Sequence, residues 1–207
     1  MKLTQPHRDA LADILQWRRD VRHFRPDQLP DRIRDTLQKS MDFAPSVGNA
    51  RPWRVIEVAS QNARKAIIAN FESANADAAD IYTPDRRENY VALKLAGLQE
   101  APLQLAVFTD LAVEAGHGLG RQSMPEMLQY STVTAIHTLW LTARAENIGV
   151  GWVSILDPAV VCDVLAVPDT WMLTGYLCIG YAAEEDDTPL LDRNGWQANS
   201  ATRWERR

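Results

Sequence analysis

The stretch from Pro125 to Glu146 carries the longest helical signal in the chain, and it is apolar nearly all round. Leu128, Ala135, Ile136, Leu139, Trp140 and Ala143 recur at helical spacing without leaving a broad polar face. A helix of that kind must be covered on most sides, so it requires a body of other elements packed around it. On the same grounds His137, inside this helix, is expected to be a hydrogen-bonded core residue rather than a catalyst.

The remaining segments can supply the cover. Residues 7–18 place Leu11, Ile14 and Leu15 on one helical face, and "LPDRIRDTLQKSMDF" spaces Ile33, Leu37 and Met41 by fours behind Pro30. Two further helical segments span about residues 62–81 and 86–100, with a turn around Pro84, and "DPAVVCDVLAV" reads as a short helix. Strands are expected in "WRVIEVA", "LQLAVFTD", "VGWVSIL" and "WMLTGYLCIGYA". They are too few and too widely separated for a two-domain dehydrogenase. An α+β fold fits better, with a small mixed sheet packed between helices and a single domain over residues 1–207. The polar tail, residues 184–207, is expected to wrap a partner subunit.

The net charge of −5 argues against a general nucleic-acid surface, which needs a basic field. Against that background "WRRDVRHF" sets Arg18, Arg19 and Arg22 around a single carboxylate, Asp20. Guanidinium forks suit phosphate, because they make paired charge-assisted hydrogen bonds to neighbouring oxygens. The solvated end of an amphipathic helix would give the same run of charges. A local arginine cluster on an acidic chain points to a small anionic ligand.

Cys162 and Cys178 each lie in an apolar segment and read as free buried thiols, with no metal-ligand spacing. The start "MKLTQPHRDALADIL" has no apolar run like a signal peptide, and no stretch reaches the length of a membrane span. A cytoplasmic protein is expected, with no membrane partner.

"GHGLG" after the second strand fails as a nucleotide-binding fingerprint, because its glycines are not in a turn joining strand directly to helix. His7, His23, His117 and His137 form no metal pair at helical spacing. Ser154 in "GVGWVSIL" lacks the flanking glycine of a nucleophile elbow. "APSVGNARPW" is more informative, since a Ser, Gly and Asn loop offers backbone N–H groups and a hydroxyl to a heterocyclic edge. In "GVGWVS", Gly149 and Gly151 remove side-chain bulk and permit a close backbone approach. Together these features suggest a phosphorylated aromatic cofactor.

The order of the motifs resembles the nitroreductase-like flavoproteins. "RRDVRHF", "APSVGNARPW", "RRENYVALKLAGLQEAP", the run from "GRQSMPEML" to "GVGWVSIL", and "GWQ" follow one another as in that family, from about Trp17 to Trp196. More narrowly the chain is similar to the branch that consumes its flavin, because Asp20 stands where an ordinary nitroreductase usually carries Ser.

The resemblance implies a nitroreductase-like fold and a homodimer holding FMN at the subunit interface. Reduced FMN, delivered by a separate flavin reductase, would be the substrate and O₂ the co-substrate. The products would be 5,6-dimethylbenzimidazole, the lower ligand of vitamin B12, and erythrose 4-phosphate. Carried over residue by residue, Arg18, Arg19 and Arg22, with Val21 in the same "RRDVR" element, would hold the phosphate and ribityl chain. Ser46 and Gly48 would line the flavin, and Arg86 and Leu95 would contribute from a covering segment. Asp20 and Ser154 match the positions associated with the chemistry, and both would also contact the cofactor. The rivals are an NAD(P)H-dependent nitroreductase or flavin oxidoreductase, and a non-catalytic flavin-binding protein. Arg51 departs from the pattern, where many relatives carry Gln.

Overall fold

The computed structural model describes residues 1–93 and 97–207. Four strands, β1 (Trp53–Glu57), β2 (Leu103–Asp110), β3 (Gly149–Val153) and β4 (Trp171–Gly180), form one sheet in the order β1-β2-β4-β3. Every pairing between them is antiparallel. A parallel element enters through one bridge, from Asp20 to Val150.

Among the described residues seven α-helices surround or flank the sheet: α1 (Gln5–Trp17), α2 (Asp31–Met41), α3 (Gln61–Ala79), α4 (Pro84–Val91), α5 (Met127–Ala145), α6 (Pro158–Leu165) and α7 (Leu190–Arg193). Alternation along the central strands explains the layering. Leu103 and Val107 of β2, with Leu177 and Ile179 of β4, pack on Ile33 and Leu37 of α2 and on Ile136 and Leu139 of α5. Ala106 and Phe108, with Tyr176 and Cys178, face the other way onto Ile67 of α3 and Val161 of α6. Successive side chains on a strand point to opposite faces, so apolar residues at both parities demand cover on both. The expected sheet between helices is the result.

Polar groups caught in this interior are paired, as burial requires. The Tyr176 hydroxyl donates to Gln104 Oε1 at 2.7 Å, and Gln104 Nε2 donates to the Leu98 carbonyl at 2.6 Å. Asn70 of α3 and Asp157, the N-cap of α6, exchange two hydrogen bonds of 3.0 Å.

The helical reading of residues 86–100 is too long: α4 ends at Val91. A Cβ on Gly97 would lie 2.4 Å from the Phe24 ring, so packing against the N-terminal segment shapes the chain beyond α4. Inside α5, His137 is exposed, contrary to expectation. It shares an uncovered face with Tyr130 and Val133, which are 50% and 39% exposed. Cys162 and Cys178 are free thiols. Among the described residues no helix is long and apolar enough to cross a membrane.

Candidate functional site

After α1 the chain leaves the helix at Arg18, whose φ of −71° and ψ of 120° are extended. It then runs along the free edge of β3. Val21 N–H donates to the Val150 carbonyl at 3.0 Å, and further on Arg25 N–H donates to the Tyr181 carbonyl at 2.9 Å. The two glycines of "GVGWVS" serve this contact. A Cβ on Gly151 would stand 2.2 Å from the Val21 carbonyl oxygen, and one on Gly149 would meet the Val21 side chain at 2.9 Å. The close approach expected from the sequence is present, and it admits the chain's own "RRDVR" segment.

Asp20 is fixed from two sides. Its Oδ1 accepts the Trp152 backbone N–H at 2.9 Å, and its Oδ2 accepts from Arg22 Nε at 2.9 Å. The Arg22 and Asp20 side chains are 12% and 33% exposed, so this pair is sheltered but reachable. Ser154 is exposed and is the first residue past β3, two positions beyond Trp152. The structure thus brings Asp20 and Ser154 to one end of one strand.

The three arginines do not share one task. Arg18 stacks its guanidinium on the Trp140 ring, 4.9 Å from the centroid. Arg19 donates through Nη1 to the Arg18 carbonyl and through Nη2 to the carbonyls of Gln16 and Asp187. Its Nε is buried without an acceptor. Burial, and then the Arg18 charge, lower the pKa of Arg19 from the usual arginine range, against the opposing influence of Asp187 and Asp186. Arg19 and Arg22 line a common cleft with Asp20, Val21, Thr188 and Arg193.

Arg193 reaches this cleft from the polar tail. It ion-pairs with Asp186, which lines the same cleft with Glu184. Arg144 of α5 pairs with Glu185 at 3.2 Å. The acidic run at residues 184–187 therefore lies against the basic cluster, and that run of four acids was its signal in the sequence.

Ser46 and Gly48 sit elsewhere. Ser46 Oγ accepts the Arg51 N–H at 3.0 Å, and Val47 N–H donates to Ser131 Oγ of α5 at 3.0 Å. Gly48, at φ 56°, opposes the Gly116 carbonyl, which a Cβ would approach to 2.9 Å. Arg51 turns away to Asp42, with a contact of 3.3 Å. Ser131 and Trp140 are nine positions apart on α5, so this loop and the arginine segment are separated by roughly 13 Å of helix rise. Arg86 lies on α4 with its guanidinium 4.6 Å from the centre of the Trp196 ring. Leu95 lies outside the described residues.

The model of the nitroreductase family matches residues 15–181 of the chain. A 5,6-dimethylbenzimidazole synthase of Rhodobacter capsulatus is 57% identical over 207 residues, covering 100% of each chain. One from Rhodospirillum rubrum is 52% identical over 191 residues, covering 92% of this chain and 90% of its own. Among solved structures, an oxidised iodotyrosine deiodinase bound to FMN and 3-iodo-L-tyrosine superposes with a TM-score of 0.73. It is 20% identical, covering 95% of this chain and 97% of its own.

Proposed function

This chain belongs to the nitroreductase family, and on that premise we propose that it acts as a 5,6-dimethylbenzimidazole synthase, fragmenting reduced FMN with O₂ to 5,6-dimethylbenzimidazole and erythrose 4-phosphate. The observation that carries the reading is the identity of 57% and 52% to two synthases of that name over nearly the whole chain. On this reading residues 1–207 are one FMN-binding domain, working in the cytoplasm beside a separate flavin reductase.

The residues present fit the phosphate end of such a molecule. Arg19 Nε is a buried donor awaiting an acceptor, and Arg22 and Arg193 border the same cleft. Arg19, Arg22 and Arg193 would hold the phosphate and ribityl chain, with Val21 packed beneath, while Arg18 stays on the Trp140 ring beside them. Ser46 and Gly48 would line the ring. Because they lie at the other end of α5, a homodimer is the economical assembly, with the Ser46 loop of one copy completing the arginine cleft of its partner. The exposed stripe of Tyr130 and Val133 suits that interface.

Bound reduced flavin supplies the reactivity toward O₂. The chain binds it, orients it and handles a proton. A carboxylate offers about four lone-pair sites, and the two bonds to Asp20 leave one on each oxygen. Asp20 can therefore take a proton while still anchored to Trp152 and Arg22. Ser154 Oγ, beyond the strand end, can donate and accept. Asp20 thus combines orientation with proton transfer.

Aerobic incubation with reduced FMN, followed by mass spectrometry, tests the reading. Both fragments should form as FMN disappears. Intact FMN as the sole flavin product would overturn it, and rapid anaerobic bleaching of bound FMN by NADPH alone would favour the nitroreductase rival.

A further inference from the structure

Helix α4 has little of its own to hold it down. Its one buried residue among those described is Tyr90, 5% exposed, whose hydroxyl donates to Asn75 Oδ1 of α3 at 2.7 Å. Val91 on the same helix is 65% exposed. Arg87 pairs with Asp80 at the end of α3 at 3.0 Å, on the exposed side, and further grip comes from the far end of the sequence. Trp196 meets Tyr82 edge-on with centroids 5.4 Å apart, and tilts against Tyr90 at 6.1 Å. Tyr82 and Tyr90 are themselves 5.0 Å apart, so three rings form one cluster. The Arg86 guanidinium lies over the Trp196 face at 4.6 Å.

Trp196 is itself anchored by backbone rather than by its ring. Gly195, at φ 70°, turns the chain after α7, and Trp196 N–H donates to the Leu191 carbonyl at 2.9 Å. The segment leading into that turn is the one at the arginine cleft, through Asp186, Asp187 and Arg193. A single stretch of tail thus touches both the basic cleft and α4.

We propose that Trp196 is a positioning residue, clasping α4 and aiming Arg86. This rests on the reading above that Arg86 contributes to holding the reduced flavin. Ring pairs and cation–π contacts favour defined centroid distances and faces, so the clasp specifies where the guanidinium stands as well as holding the helix.

Hydrogen exchange of residues 84–91, read by mass spectrometry on the ligand-free protein, tests the clasp directly. Trp196→Ala should speed it roughly tenfold, the scale of losing two ring contacts and a cation–π contact. Exchange in α7 should stay unchanged, because the turn at Gly195 is closed onto it by backbone bonds. Trp196→Phe keeps a ring and should restore most of the protection. FMN should leave Trp196→Ala and Arg86→Gln faster than wild type, and the double variant should be no worse than the poorer single one, since one residue acts through the other. Unchanged exchange in Trp196→Ala overturns the clasp. Faster exchange with FMN release unaltered in both single variants overturns instead the reading of Arg86 as a flavin contact. Additive effects on release overturn the claim that Trp196 works through Arg86.

Discussion

Asp20 accepts the backbone N–H of Trp152 through one oxygen while its other oxygen accepts from Arg22 Nε, each at 2.9 Å. One carboxylate therefore joins the "RRDVR" segment to the strand whose exit carries Ser154. Asp20→Asn keeps an oxygen for Trp152 but turns an amide donor toward Arg22 or loses that bond. With general-base help removed, product formation should fall by about 10²–10⁴-fold. Ser154→Gly removes an exposed hydroxymethyl group and should lower the benzimidazole formed per FMNH₂ oxidised. Both variants should fold and hold FMN. Yield and FMN affinity, measured side by side, check this, and near-wild-type yields from both would refute the catalytic roles.

On the proposed reading, the Asp186 carboxylate and the Asp187 carbonyl hold guanidinium groups that a phosphate would use. Asp186→Asn frees Arg193 from a partly exposed ion pair and should tighten FMN by about two- to fivefold. Arg22→Ala should do the reverse and weaken FMN by roughly tenfold or more, the worth of a charge-assisted hydrogen bond. Riboflavin has no phosphate, so its affinity should move much less in each case. Calorimetric titration with both ligands decides, and parallel changes for the two would sink the phosphate assignment.

Gly151→Ala should be among the most damaging single-methyl additions available to this chain. The new Cβ would lie 2.2 Å from the Val21 carbonyl, a backbone atom that can retreat only by lifting the whole segment off β3. A loss of about 2–3 kcal/mol is expected, with weakened FMN binding. Urea unfolding of the variant should show the shift in midpoint.

Alkali should unfold the protein through its buried acids. Burial pushes the Cys178 thiol up from an ordinary 9.0 to about 12, and it raises the Tyr176 phenol above its ordinary 10.0. Well below pH 9 both groups are protonated, folded or unfolded, and contribute no slope. Above it the unfolded chain releases protons that the folded chain retains, so stability falls as pH rises, by up to about 1.4 kcal/mol per pH unit for each group. Chemical denaturation between pH 8 and pH 10.5 should show the decline, and Cys178→Ala should flatten its first part.

Much of the fold could be read from the sequence because burial on both faces leaves a plain signature. "LQLAVFTD" matches β2 from Leu103 to Asp110, since a short run apolar at both parities and bounded by Pro102 and Asp110 suits a central strand. The long helix was legible for the same reason, yet its apolar surface did not reveal that the stripe of Tyr130, Val133 and His137 stays uncovered. Composition reports a wish to be covered and not the cover. The arginine cluster was legible as a cluster and misleading as a unit. Its residues look adjacent on a helix end, but the chain is extended there, so Arg22 pairs with Asp20 while Arg18 stacks on Trp140 and Arg19 reaches back to the carbonyls of Gln16 and Asp187. Arg193 and the clasp of Trp196 on α4 were hidden, because nothing local in a polar tail tells which distant helix it will meet.

The bond between Asp20 and Trp152 spans 132 positions of chain. A ribosome adding roughly 5–20 residues per second would leave "RRDVR" waiting on the order of ten seconds for the strand it lies against. That segment is thus placed only after most of the body has been made, and loop closure over that distance must precede any reward from the contact. Ligand binding in the newborn chain should therefore switch on late and abruptly, once β3, β4 and the tail that carries Arg193 have left the exit tunnel, rather than grow with chain length.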